Sequence, residues 1–456
     1  MAILDVDTIA AVSTAPGLGA IAVVRVSGPE ACSVALRLLT RLDVMPDPRY
    51  AQLSEIADPD DGTAIDRAVV TYFAAPDSYT GEDVVEFSCH GGWLIPALVL
   101  DACLRAGARP AERGEFTRRA HLRGKLDLVQ AEAVSDLIEA RSRVLHTAAL
   151  GQLERGLSSR ISELRERIVR LEALLAHHID FPEEDDAPVP LDEIAREAAD
   201  VAQLMGRLLE TAPEGELLRE GALVVLAGRP NAGKSSLYNA LIGEERAIVT
   251  EEPGTTRDAL EATVQMGGFP FRLVDTAGLR ETERPVERLG IEVARRYLKG
   301  ADVVLLCVPM GEDVSEFDEA FLEDVEAPVV VLRTKSDLQE DRGGEAVAEE
   351  SGVIGVSTES GEGLDSIRAA LPGLVYSGLL AVGAGVPVIT RQRHARALDL
   401  ARGEVELFRD ALVDGLPPEV AATHLRPAET ALEEMLGVIS VEDVLDVVFR
   451  EFCVGK

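Results

Sequence analysis

The chain has 456 residues, 46% of them hydrophobic, enough for two or three separately cored domains. Its 45 Lys and Arg against 80 Asp and Glu leave a formal net charge of −35. That excess argues against general adhesion to nucleic acid or anionic membrane, while a local basic patch remains compatible with RNA contact.

Five scattered cysteines (Cys32, Cys89, Cys103, Cys307 and Cys453) form no CxxC pair, so neither a disulfide framework nor a zinc site is expected. The opening MAILDVDTIA has no basic region leading into an apolar run, and no apolar stretch reaches the ~18–20 residues that span a bilayer. A cytoplasmic protein without membrane contact is the expectation.

In chain order, residues 1–122 mix short β-like runs (20–26, 68–73 and 83–87) with Gly and Pro turns and a helical stretch at 95–106, which reads as an α+β domain. From Leu126 turn signals thin out and apolar residues recur at helical spacing through Ile138. A second helix repeats Ile161, Leu164, Ile168, Leu171 and Leu175, the 3-4-3-4 rhythm of a bundle. It ends near Asp180-Phe181-Pro182, before an acidic, proline-containing loop, and helical periodicity resumes over residues 191–218. The pattern then switches to β/α alternation, with strand candidates at 223–227, 271–274, 303–308 and 329–332. Beyond Gly385 it is helical again, so an α/β domain is inserted into a helical one. The boundaries expected are 1–122, 123–216, 217–378 and 379–456.

The strongest motif follows the first of those strands. Gly228-Arg229-Pro230-Asn231-Ala232-Gly233-Lys234-Ser235, with Ser236 next, fits GxxxxGK[ST], a loop whose glycines let backbone N–H groups curl around phosphate oxygens. Lys234 would neutralise the β- and γ-phosphates and Ser235 would offer its hydroxyl to Mg²⁺. Asp275-Thr276-Ala277-Gly278 follows the next strand, where the carboxylate suits a water-mediated Mg²⁺ contact and the Gly278 N–H suits the γ-phosphate. Thr334-Lys335-Ser336-Asp337 follows another; the Asp337 carboxylate accepts from N1–H and N2–H₂ of guanine together, a donor pair adenine lacks. Ser357-Thr358 stands where a base-contacting loop is expected. Between the first two motifs, residues 250–258 form a switch-like loop with Thr256 as the second hydroxyl for Mg²⁺. Together these predict a Ras-like P-loop domain binding GTP. Leu279 occupies the place where many small GTPases carry a water-orienting glutamine, so hydrolysis needs help from another residue, a partner or a second cation.

Motifs along nearly the whole chain resemble the MnmE/TrmE family of tRNA modification GTPases. They include Asp7-Thr-Ile-Ala10, the run from Ala20 to Gly28, Thr80-Gly-Glu-Asp83, His90-Gly-Gly92, Arg113-Gly-Glu-Phe116, Lys125-Leu-Asp-Leu128, Asp180-Phe-Pro182 and the terminal Phe452-Cys-Val-Gly-Lys456. The resemblance implies a multidomain α/β plus α fold: an N-terminal α+β folate-binding domain that dimerises, a discontinuous helical bundle and the inserted GTPase domain. It implies joint action with an MnmG-type flavoprotein, the FAD residing in that partner only, to add an aminomethyl-type group at C5 of the tRNA wobble uridine. A 5,10-methylene- or 5-formyl-tetrahydrofolate-type ligand would supply the one-carbon unit. It further implies GTPase domains that pair across the homodimer with K⁺ in place of an arginine finger, held by Asn231 and the loop carrying Thr250, Glu252 and Thr255. Glu287 corresponds to the family's water-orienting glutamate. Arg25, Glu86, Lys125 and Lys456 correspond to its folate site, a cationic pair suiting a glutamate tail and a carboxylate suiting pterin N–H donors.

Cys453 is either a nucleophile or a packing residue, since no His or Asp partner is assignable to it from sequence. Thr334 stands where the family usually has Asn, which predicts a weaker contact within the site, and Ser357-Thr358 replaces the common Ser-Ala. Two basic stretches are candidates for tRNA phosphates or simply solvated faces: Arg113, Arg118, Arg119, Arg123 and Lys125, and then Arg391, Arg393, His394 and Arg396. A GTP-switched RNA-binding or ribosome-assembly factor and a non-hydrolysing GTP-binding scaffold are the rival readings; the folate-like N-terminal domain and the Phe452–Lys456 terminus oppose the first, and GTP turnover would oppose the second.

Overall fold

The computed structural model describes residues 7–40, 42–180, 189–243, 261–276, 287–323, 325–338, 353–382, 387–439 and 442–456. The chain divides into two compact units: residues 1–135, 152–166 and 429–456 form the first, and residues 136–151 and 167–428 the second.

The first unit is built on strands β1 (Ile9–Val12), β2 (Ile21–Ser27), β3 (Ala51–Ala57), β4 (Ala64–Phe73), β5 (Val84–His90) and β6 (Arg109–Pro110). They run in the order β3-β4-β5-β2-β1-β6, antiparallel except for the β1–β6 pair. Alternation sorts the two faces. Ala22, Val24 and Val26 of β2 and Val85, Phe87 and Cys89 of β5 bury against helices Ala31–Leu38 and Ile95–Arg105. The register sets Arg25 directly opposite Glu86, so their side chains meet away from that core. Under this second face lie Ile9, Ala11, Ala111 and Phe116, with Tyr79 packed beside them.

The C-terminal segment closes this unit. Helix Glu442–Arg450 and Phe452 bury Leu445, Val448 and Phe449 with Leu128 and Ala131. Beyond the helix the backbone itself docks: the Gly114 N–H donates to the Cys453 carbonyl at 3.4 Å and the Phe116 N–H to the Lys456 carbonyl at 3.1 Å. Two glycines make this approach possible. At Gly114 (φ 66°) a Cβ would sit 2.6 Å from the Phe449 carbonyl oxygen, and at Gly455 (φ 96°) 2.4 Å from that of Val12.

The second unit contains β7 (Ala222–Ala227), β8 (Glu261–Met266), β9 (Phe269–Asp275), β10 (Val303–Pro309), β11 (Val329–Thr334) and β12 (Val353–Val356). Their order is β12-β11-β10-β7-β9-β8, parallel except for the antiparallel edge strand β8. β7 and β10 are buried on both faces, which explains their unbroken apolar sequences. The phosphate-loop motif follows the central strand β7, and the guanine motif lies at the end of β11.

Helices Leu191–Leu209 and Gln392–Val413 pack together in the helical part of this unit, the former burying Ile194, Ala198, Val201, Met205 and Leu208 at helical spacing. The helical periodicity over 191–218 is carried by two helices, Leu191–Leu209 and Ala212–Glu220. The Thr211 hydroxyl donates to the Leu208 carbonyl at 2.7 Å and accepts the Ile389 N–H at 3.1 Å, and a new helix starts at Ala212 with Pro213 in its first turn. Tyr376 is fully buried beside the sheet, stacked on Phe269 at 4.5 Å, with its hydroxyl against the carbonyls of Pro270 (2.9 Å) and Leu217 (3.1 Å). Glu214 accepts the N–H groups of Gly378 and Leu379 at the start of helix Ser377–Val382. No helix among the described residues is long and apolar enough to cross a membrane.

Candidate functional site

At the end of β7 the chain turns sharply, with Gly228 at φ 130°, Asn231 at 63° and Gly233 at 92°. A Cβ on Gly228 would meet the Cys307 carbonyl oxygen of β10 at 2.4 Å, so a glycine is required where the loop passes that strand. Lys234 opens helix Lys234–Gly243 and is 4% exposed, its Nζ donating to the carbonyls of Gly228 (2.8 Å) and Arg229 (2.7 Å). An ammonium held at a turn of this shape is placed to meet anionic oxygens.

Ser235 is the next residue. Its hydroxyl donates to Asp275 Oδ2 at 2.5 Å, which brings the first and second motifs into direct contact. A hydroxyl beside a carboxylate is a hard-oxygen donor set suited to Mg²⁺. Asp275 ends β9 and is buried; the hydroxyl of Thr276 is directed away from it, donating to the Leu226 carbonyl at 2.7 Å.

The third and fourth motifs also meet. The Ser357 hydroxyl donates to Asp337 Oδ1 at 2.6 Å, holding one carboxylate oxygen while Asp337 stays exposed. Ser357 itself is fixed by its N–H to the Glu362 carbonyl and its own carbonyl to the Gly361 N–H, both at 3.0 Å. Lys335 takes the left-handed conformation (φ 60°), and Thr358 is exposed beside Ser357. Thr334 retains a contact to the phosphate loop: its hydroxyl donates to the Ala232 carbonyl at 2.7 Å and is buried there. A short hydroxyl serves because the chain at Gly233 comes close, a Cβ there lying 3.5 Å from Thr334 Cβ.

Thr250, Glu252, Thr255, Thr256, Ala277, Gly278 and Leu279 lie outside the described residues. Glu287 opens helix Glu287–Lys299, but its side chain lies outside them too. Asn231 and Ser236 are exposed at the rim of the phosphate loop and Ala232 is buried beneath it.

In the first unit, three of the four residues named for a folate site converge. Arg25 Nε donates to Glu86 Oε1 at 2.9 Å, and its Nη2 lies 2.8 Å from the same oxygen. The Lys456 ammonium is pushed below its ordinary pKa by burial and by the nearby charge of Arg25, with Glu86 and Cys453 pulling the other way. Sequence reasoning missed the two aromatic walls: the Arg25 guanidinium sits 5.4 Å from the Tyr79 ring centre and 5.5 Å from that of Phe116. The Arg113-to-Phe116 motif was a signal for one of them. Lys125 makes a different contact, its Nζ donating to the Pro76 carbonyl at 2.9 Å. Cys453 is exposed.

The two basic stretches are mixed: Arg119, Arg391 and His394 are buried, Arg118 and Arg393 are half-buried, and Arg113, Arg123, Lys125 and Arg396 are exposed. Arg119 is 2% exposed and pairs with Glu115 (2.9 Å), Asp7 (2.6 Å) and Glu82 (3.2 Å), while Arg123 also reaches Glu82 at 2.6 Å. Arg391 is buried against Asp136 at 2.6 Å, an aspartate that Arg219 also faces at 3.4 Å. These cations neutralise buried carboxylates, which costs far less than leaving either charge alone. Among the described residues no cluster of His, Cys, Asp and Glu forms a metal site.

A family model described as the GTP-binding protein TrmE N-terminus matches residues 8–125, and one described as the MnmE helical domain matches residues 128–453. The tRNA modification GTPase MnmE of Heliobacterium modesticaldum is 43% identical over 470 residues, covering 99% of both chains. That of Moorella thermoacetica is 42% identical over 463 residues with the same coverage. Among solved structures, the G domain of the T. maritima FeoB iron transporter aligns with 35% of this chain and 98% of its own, at 28% identity and a TM-score of 0.25. With two family models and full-length relatives in agreement, the chain belongs to the MnmE family of tRNA modification GTPases and is a P-loop GTP hydrolase.

Proposed function

We propose that this GTPase is stimulated by K⁺ and acts with a flavin-containing MnmG-type partner. Together they use a tetrahydrofolate one-carbon unit to add an aminomethyl-type group at C5 of the tRNA wobble uridine. The observation that carries this reading is that relatives named tRNA modification GTPase MnmE match over 99% of the chain at 42–43% identity. The chain acts as a cytoplasmic homodimer in four parts: a folate-binding and dimerisation domain (1–122), a helical domain in two pieces (123–216 and 379–456) and the GTPase domain (217–378).

In the GTPase domain, Lys234 and the loop from Asn231 to Ser236 hold the phosphates, and Ser235 and Thr256 hold Mg²⁺, with Asp275 beside them. Thr250, Thr255, Thr276, Ala277 and Gly278 complete the phosphate side, and Thr334, Lys335, Asp337, Ser357 and Thr358 the guanine side. The 2.5 Å contact between Ser235 and Asp275 supports the Mg²⁺ assignment, because both oxygens already face one point. Asn231, with Thr250, Glu252 and Thr255, holds K⁺, and Glu287 orients the attacking water. A monovalent cation beside the β/γ oxygens would supply the transition-state stabilisation that an arginine finger supplies elsewhere.

In the N-terminal domain, Arg25, Glu86 and Lys456 hold the reduced folate, with Lys125 at a greater remove. Two cations and a carboxylate around aromatic walls suit a flat, amide-rich ring carrying a glutamate tail, which supports the assignment. Cys453 is exposed next to this group, open to a covalent role.

The test is nucleoside analysis by mass spectrometry of tRNA incubated with the protein, its flavoprotein partner, reduced folate, an ammonium or glycine nitrogen donor, GTP and KCl. A C5 aminomethyl-type wobble uridine that requires both the folate and GTP is expected. Unmodified tRNA from an active GTPase and an active flavoprotein would overturn the reading.

A further inference from the structure

Arg229 is the second residue of the phosphate loop, and its side chain leaves the loop for the segment after β10. Nη2 donates to the Asp313 carbonyl at 3.1 Å and lies 3.0 Å from Glu312 Oε2, while Nε lies 3.4 Å from Asp318 Oδ2. Asp318 is 1% exposed. Its Oδ2 already receives the N–H and hydroxyl of Ser315 in the capping box of helix Glu316–Leu322, and its Oδ1 has no hydrogen-bond partner among the described residues. The main chain of Arg229 does something else: its carbonyl, with that of Gly228, accepts from Lys234 Nζ.

One residue therefore links a buried carboxylate to the lysine of the phosphate loop. A nucleoside triphosphate brings several negative charges to a loop backed by Glu312 and Asp318, in a chain whose net charge is −35. Without a cationic partner, and with only the Ser315 N–H and hydroxyl donating to it, the buried Asp318 charge would be costly in itself and would repel the phosphates. The geometry points to Arg229 as a positioning residue for GTP binding, which neutralises the acidic segment behind the loop and fixes the two carbonyls that hold Lys234. This rests on the assignment of the loop to GTP phosphates.

The experiment is steady-state GTP hydrolysis by the full-length protein carrying Arg229→Met, Arg229→Lys, or Arg229→Met with Asp318→Asn, with thermal melts in parallel. Arg229→Met should raise KM for GTP about 10-fold with kcat changed by less than about 2-fold, because it strips a buried carboxylate of its partner. The double variant should return KM to within about 3-fold of wild type, since no buried charge is left unpaired, and Arg229→Lys should behave likewise. A lowered melting temperature with unchanged KM would overturn the inference, leaving Arg229 a structural residue. So would a double variant as impaired as the single one. Wild-type protein that neither binds nor turns over GTP would sink the assignment of the loop itself, whereas a failure confined to the variants sinks the inference alone.

Discussion

The hydroxyl of Thr334 donates to the carbonyl of Ala232 at 2.7 Å, so the guanine motif and the phosphate loop are joined by a buried hydrogen bond. Replacing Thr334 by Val keeps the shape and removes the donor, leaving a buried carbonyl unpaired at a cost of about 1–3 kcal/mol. Thr334→Val is therefore expected to lower GTP affinity roughly 10-fold, a factor worth about 1.4 kcal/mol. Thr334→Asn, which retains a donor, should remain near wild type. Titration with a fluorescent guanine nucleotide reads both.

Asp337 is oriented by Ser357 at 2.6 Å and presents its other oxygen outward. Changing it to Asn replaces an acceptor with a donor, which opposes guanine N2–H₂ but complements the 2-oxo group of xanthine. Asp337→Asn should lose GTP by about 100-fold or more and gain XTP, because unpaired or opposed polar groups discriminate strongly in such sites. Competition between GTP and XTP in a hydrolysis assay checks this; unchanged GTP preference would remove Asp337 from base recognition.

How much of this was legible in the sequence divides along physical lines. The strand-loop-helix order of the GTPase core was readable because β7 and β10 are buried on both faces and β9 nearly so, and therefore apolar throughout. Strand β3 was missed: AQLSEIA is half exposed and half polar, and its pairing with β4 breaks register near Ile56. β8 was missed for a similar reason, being a mostly half-exposed edge strand. Which members of the basic stretches turn inward was not legible, because sequence does not show which carboxylates fold against them. Arg119 and Asp7 are 112 positions apart, and Arg391 and Asp136 are 255 apart. Arg25 and Glu86 took their meaning from a family resemblance, and only the β2–β5 register shows that they face each other.

The docked tail makes a prediction about stability and pH. Lys456 has its pKa lowered in the folded protein by burial and by Arg25. The folded state thus binds this proton less readily than the unfolded chain, so its contribution is unfavourable below the lowered value and relieved as pH rises toward the ordinary lysine range. Lys456→Met is expected to leave melting temperature at neutral pH unchanged or raised, while weakening the binding of a reduced folate. Calorimetry of both proteins with 5-formyltetrahydrofolate separates the two effects; a lower melting temperature with unaltered binding would contradict the assignment.

Gly114 holds the tail through backbone geometry. Its φ of 66° and the 2.6 Å approach of the Phe449 carbonyl to a would-be Cβ make Gly114→Val a specific wedge under the C-terminal helix. The variant should lose about 10-fold or more in folate affinity through misplaced Lys456, as expected when a positioning shell is loosened. GTP hydrolysis in the second unit should persist. Loss of both activities together would show that Gly114 serves folding at large.

A monovalent cation at Asn231 is proposed to take the place of an arginine finger, and steady-state GTP hydrolysis in matched KCl and NaCl checks that proposal. Stimulation by K⁺ of at least about 10-fold, abolished by Asn231→Ala, is the predicted result, in line with the worth of a single transition-state charge partner. Equal, slow rates in both salts would contradict it and leave a GTPase that depends on an activator from outside the chain.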